Sequence, residues 1–240
     1  MSRLFGRRGK GAALPRLKLR RDASSAPVSR VNLHELTPDI LHFLGQAAYL
    51  QLCTFETLSR AIVTAPTTQA KEIISRVASL SLAKHHGLVA EIERRGEDPS
   101  AVMEPFTEAT DEYQRITLGN DWYEILVTSY VTAGILDDFF VQVAAGLPGG
   151  YPERMTVLLS GDDGNQLIVE LLRDAIDANP HLASRLAMWG RRLVGDTLLI
   201  ARSALALPEN AAPDDARLEP VFTELIAAHT RRMDELGLTA

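Results

Sequence analysis

Hydrophobic residues recur three and four positions apart through most of the chain, and this spacing predicts helices almost everywhere after residue 36. The stretch TPDILHFLGQAAYLQLCTFETLSRAIVTAP puts Leu41, Leu44, Ala48, Leu52, Phe55 and Ile62 on one face. Thr37 is its expected N-cap, Pro38 its first helical residue and Pro66 its stop. A second helix is expected from about Thr68 to Arg95, with Ile74, Val77, Leu88 and Ile92 inward and Gly96 as the C-terminal stop. A third starts near Asn120, carries Val127, Val131, Gly134, Val141 and Ala145 as its stripe, and ends at GLPGG. A fourth, from about Tyr151 to Asp177, turns Met155, Leu159, Val169, Leu172 and Ile176 inward. A fifth long helix begins after Pro180 and a shorter one covers about Leu218 to Leu236, with the loop PENAAPDDA between them.

No hairpin dipeptide separates alternating runs, and no G-x-G-x-x-G follows an apolar strand pattern, so the fold class is all-α. The connection over residues 96–119 is long, which makes the first two helices one antiparallel hairpin and the third and fourth another, joined by a crossover. That is the connectivity of a ferritin-like four-helix bundle, here with additional C-terminal helices. Residues 31–240 read as a single domain.

Composition places the chain among globular proteins, with 46% hydrophobic and 23% charged residues. No apolar run reaches the length of a membrane span, the basic start is not followed by an apolar secretory core, and Cys53 is the single cysteine. A soluble, cytoplasmic protein is expected. The net charge of -6 hides an asymmetry: residues 1–30 hold nine basic side chains against Asp22 alone, +8, while the remaining 210 residues carry 16 basic and 30 acidic ones, -14. Residues 1–30, rich in Gly, Ser and Pro, read as a disordered basic arm. Such an arm is attracted to phosphate backbones such as RNA, and to anionic membranes. A solubilising tail folded onto the acidic body and an organelle transit peptide are the other readings. The wide apolar faces of long helices also make a homodimer plausible.

A polar residue on an apolar helix stripe is informative, because burying it without a partner costs a few kcal/mol. Glu56 lies beside Leu52 and Phe55 on the first helix, and Ser81, Lys84 and His85 continue the line of Val77 and Leu88 on the second. On the third helix Asp138 sits between Gly134 and Val141, and Asp137 between Ala133 and Phe140, so either could face the interior. On the fourth, Asp162 and Asn165 stand at i, i+3 between Leu159 and Val169. Gly161 and Gly164 flank Asp162 and Asp163 there, a run of poor helix formers that either marks a site or breaks the helix. Glu56 could equally pair with Arg60, and His85 could stand at the bundle edge.

Carboxylates facing inward from several helices are what a carboxylate-bridged di-iron or di-manganese centre requires, together with a Glu-x-x-His pair on each of two helices. The pattern here is incomplete. Asp162-x-x-Asn165 replaces the imidazole by an amide, and neither Ser81-x-x-Lys84 nor Leu82-x-x-His85 is a Glu-x-x-His. A Lys84 ammonium would stand where a metal belongs.

The strings AAYLQLCTFETLSRA, MEPF, DWYEILVTSYVTAGILDDFF and LAMWGRRLVGDTLL resemble the actinobacterial-type ferritin-like proteins similar to the tRNA hydroxylase that acts on 2-methylthio-isopentenyladenosine. The likeness covers roughly Leu41 to Leu207. It implies a ferritin-like bundle and, for its best-known member, oxygen-dependent hydroxylation of modified tRNA at a non-haem di-iron site. By position it implies iron ligands at Glu56, at Asp138 or Asp137, at His85 as the nearest substitute on the second helix, and at Asp162 and Asn165. The departures fall on both histidine positions.

Two readings follow. In the first, the chain is a non-catalytic or altered-activity member, RNA-associated through residues 1–30, with Lys84 salt-bridged to Asp138, Asp162 or Glu56 in place of a lost metal. In the second, it is an active metal-dependent oxygenase acting on tRNA with Glu56, His85, Asp138 and Asp162 as a reduced ligand set. Nucleophilic chemistry at Cys53 is weak, because the nearest histidine in sequence, His42, is about three turns away.

Overall fold

The computed structural model of the protein describes residues 36–206 and 215–240. All regular structure among them is helical. The expected basic arm, 1–30, lies outside the described residues.

Helix α1 (Ile40–Thr64) and α2 (Thr68–Glu93) form the first antiparallel hairpin. The start of α1 differs from expectation. Its N-cap is Asp39, whose Oδ1 accepts from the backbone N–H groups of Leu41 and His42, both at 3.0 Å. An aspartate satisfies two of the orphan donors at once, so the helix begins after it. Thr37 instead donates to the carbonyl of Val143 at 3.1 Å, tying the N-terminal end of the described chain to the third helix. Thr67 caps α2 through the N–H of Ala70, and Gly96, at φ +80°, follows its end.

The crossover is structured. It contains α3 (Pro99–Met103), a 3-10 turn (Glu104–Phe106) and α4 (Thr107–Thr117), all packed along α1. The third bundle helix is α5 (Trp122–Thr128) continuing through a π turn (Ser129–Ala133) into α6 (Gly134–Ala144). The fourth is broken into α7 (Tyr151–Leu159) and α8 (Asn165–Ala178), which is the break that the Gly-Asp-Asp-Gly run allowed. Gly164 at the break has φ +67°, and an added Cβ would come within 2.9 Å of Val77 Cγ2, so only glycine fits there without movement. Then α9 (Pro180–Ser203) packs against α5 and α8, and α10 (Asp215–Glu235) lies over α9, α6 and the π turn.

The core is continuous across these elements. Phe43 and Leu44 of α1, Leu88 and Ile92 of α2, Leu126 and Val143 of the third helix, Met155, Leu172 and Leu186 are all fully buried. Each such side chain contributes about 1.5–3 kcal/mol through removal from water. No helix of the described residues is long and apolar enough to cross a membrane.

Candidate functional site

The π turn decides which polar groups face the interior. A π turn holds one more residue than an α turn, and each helical residue advances about 100° around the axis. The stripe of Val127 and Val131 therefore continues through Phe139 and Val143, both fully or nearly fully buried, instead of through Asp138. Asp138 is turned outward and pairs with Arg232 of α10, whose Nη2 lies 2.7 Å from its Oδ2. Asp137 is left at the edge of the interior, against α2.

There Asp137 meets two partners. Lys84 Nζ lies 2.6 Å from its Oδ2, and the side-chain amide of Gln51 donates to its Oδ1 at 2.5 Å. The side chains of Lys84 and Asp137 are only 7% and 13% exposed, so the pair is shielded from solvent. Burial pushes the Asp137 carboxyl above the ordinary carboxylate range; the Lys84 charge, its hydrogen bond and that of Gln51 pull it back, and the nearby Asp163 charge adds to the rise. Thr54, Ser81, Ser129, Asp163 and Asn165 line the same small cavity of about 20 Å³.

The turn between α7 and α8 is held by its own carboxylates. Asp162 Oδ1 accepts from the N–H of Gly164, and Asp163 Oδ1 from that of Asn165, both at 3.0 Å, while the Asn165 amide donates to Asp163 Oδ2. Asp163 and Asn165 thus reach the cavity, whereas Asp162 is exposed. Residues that favour turns because they hydrogen-bond their own backbone account for the break.

The five residues taken from the sequence as metal ligands are not brought together. Glu56 is exposed on the outer side of α1, where its charge is felt by Cys53. His85 is buried, and its Nδ1 donates to the carbonyl of Ala48 at 2.9 Å, so it serves to seat α2 on α1. Asp138 is paired with Arg232, Asp162 caps a turn in solvent, and Asn165 alone of the five lines the central cavity. The partner of Lys84 is likewise none of Asp138, Asp162 and Glu56 but Asp137. Straight-helix periodicity, which takes no account of the π turn, left Asp137 and Asp138 undivided, and the structure gives the inner place to Asp137.

A two-metal centre does not fit this set. Among the described residues no three His, Cys, Asp or Glu side chains converge on a point. The cavity offers Asp137 and Asp163, two amides, hydroxyls and no imidazole, and it already contains a fixed cation in Lys84. A divalent ion beside that ammonium would meet like charge in a site with little solvent to screen it.

Two buried carboxylates escaped the sequence reading. Glu124 of α5 accepts from the backbone and side-chain nitrogens of Asn120 and from Arg185 of α9, all at 2.8 Å, and so joins the third helix to α9. Glu91 of α2 pairs with Arg94 at 2.5 Å. For Glu124 the signal was present in Asp121-x-x-Glu124, a capping pair that directs the glutamate back over the helix start.

No curated protein matches the chain. Residues 36–211 match the family model of the ferritin-like domain of actinomycetes, a span that contains α1 to α9 and the whole Lys84–Asp137 site. The chain belongs to that ferritin-like domain family.

Proposed function

We propose that this protein is a ferritin-like bundle without a metal centre, a scaffold in which the Lys84–Asp137 ion pair and Gln51 hold the interior that metal ions and their ligands would otherwise fill. The observation that supports this reading most directly is the 2.6 Å contact between the Lys84 ammonium and the Asp137 carboxylate inside the helix bundle. An ammonium there neutralises a buried carboxylate without any metal, and Gln51 supplies a further hydrogen bond to it. The resemblance to tRNA hydroxylases supports an RNA-directed role, and the +8 charge of residues 1–30 supplies the attraction to phosphate.

Loading the protein with ferrous iron without oxygen, followed by desalting and metal analysis, tests the reading. The expected result is iron well below one equivalent per chain. One or two tightly held equivalents would overturn it and favour the second reading, a metal-dependent oxygenase acting on tRNA with a reduced ligand set. Its ligand set of Glu56, His85, Asp138 and Asp162 is not brought together, and what remains in its favour is a different pair of carboxylates, Asp137 and Asp163, at a common cavity. The RNA role has its own test: affinity for tRNA should fall steeply with salt and vanish when residues 1–30 are deleted. Binding that survives the deletion would remove the arm from the account.

A further inference from the structure

We propose that the space around the π turn is an internal hydration site, and that its water links the Lys84–Asp137 pair to solvent. This goes beyond the function proposed above and does not depend on it.

Two cavities flank the turn. The larger, about 40 Å³, has Cys53, Thr57, Thr128 and Thr132 in its wall; the smaller, about 20 Å³, has Lys84 and Asp137. Thr54 and Ser129 belong to both walls, so water in either space can bond the same two hydroxyl oxygens, which join the two spaces. One water needs about 10–15 Å³ in this measure, which gives room for about three molecules on one side and one on the other.

The lining explains why water is the ligand. Ser129 Oγ is buried and has no hydrogen-bond partner among the described residues, in a residue only 6% exposed. Leaving such a hydroxyl unmet is costly, because its bonds to water are lost on folding without replacement. The neighbouring threonines have already spent their protons on backbone carbonyls: Thr54 on Leu50 at 2.9 Å, Thr128 on Thr117 at 2.9 Å and Thr132 on Thr128 at 2.7 Å. The amide of Gln114 is spent on the Cys53 carbonyl and on Thr57 Oγ1. The walls therefore present oxygen lone pairs and, in Ser129, a buried hydroxyl without a partner among the described residues. An anion would meet those lone pairs, and an apolar molecule would leave Ser129 unmet. Water both donates to the threonine oxygens and satisfies Ser129. Tyr113 and Gln114, both partly exposed, also line the larger cavity, and it is past them that its waters would reach solvent.

The test is water-to-protein magnetisation transfer measured by NMR on the full chain. Cross-peaks from water to the side-chain protons of Ser129, Thr54 and Thr132 are expected. Their absence, with the Ser129 hydroxyl bonded to a helix carbonyl, would overturn the proposal. Ser129→Val puts a methyl group at the junction of the two spaces and removes the Ser129 hydroxyl; the water cross-peaks at Thr54 should weaken and the Lys84 ammonium protons should exchange more slowly. Unchanged exchange would overturn the link to solvent. If the variant does not fold, the measurement on the unaltered chain decides the matter.

Discussion

Lys84 Nζ and Asp137 Oδ2 stand 2.6 Å apart between α2 and α6, each nearly withdrawn from water. Removing one member of such a pair is costly, because the other keeps its charge without compensation. Lys84→Met should therefore cost about 3 kcal/mol at neutral pH by chemical denaturation. The cost should depend on pH. With Lys84 gone, burial and Asp163 raise the Asp137 carboxyl against the Gln51 hydrogen bond alone. A carboxyl raised in the folded state contributes stability below its unfolded value and loses it as pH rises through the folded one. The deficit of the variant should thus shrink on acidification towards the carboxylate range and be largest at neutral pH. A deficit that does not change with pH would contradict the assignment.

Cys53 makes a separate pH prediction. Burial, then the charges of Glu56 and Asp111, push its thiol from the usual 9.0 up to about 12. At neutral pH the thiolate population is negligible, so alkylation of the folded protein should be far slower than that of a free thiol. The raised value also means that the thiol's contribution to stability is complete below 9.0 and lost as pH climbs to about 12. Cys53→Ala should flatten the alkaline limb of the stability profile. Rapid labelling at neutral pH would place Cys53 in a different environment.

Gly164 and Gly161 provide a matched pair across the α7–α8 break. Gly164 sits at φ +67° against Val77, and Gly161 has only backbone oxygens at 3.6 Å and beyond near an added Cβ. Gly164→Ala should cost about 1–2 kcal/mol for the left-handed conformation, before any movement of Val77. Gly161→Ala should stay within about 0.5 kcal/mol of the parent. Thermal denaturation of both variants checks the contrast, and equal effects would contradict the described turn.

Much of the bundle was legible in sequence because it rests on local rules. Apolar spacing located the long helices, the GLPGG and Pro-rich stretches ended them, and the length of the 96–119 segment gave the crossover. The site was legible only in part. Lys84 was recognised as an interior cation, but its partner depended on a π turn whose residues, Ser-Tyr-Val-Thr-Ala, carry no propensity signal that separates π from α. The outward position of Glu56 was hidden for another reason: it lies near Leu52 and Phe55, which are themselves only partly buried, so the stripe that seemed to enclose it is the rim of α1. His85 shows that an inward histidine needs no metal, since the Ala48 carbonyl is its partner.

The central claim is that Lys84 and Asp137 neutralise one another inside the bundle, and a double-mutant cycle measures it most directly. Lys84→Met and Asp137→Leu are made singly and together, and unfolding free energies are compared with the parent chain. Each single change should cost about 3 kcal/mol, and the double variant should recover most of that loss, a coupling well above about 0.5 kcal/mol. Two small losses that simply add would show that the ammonium and the carboxylate do not depend on each other, and would contradict the account.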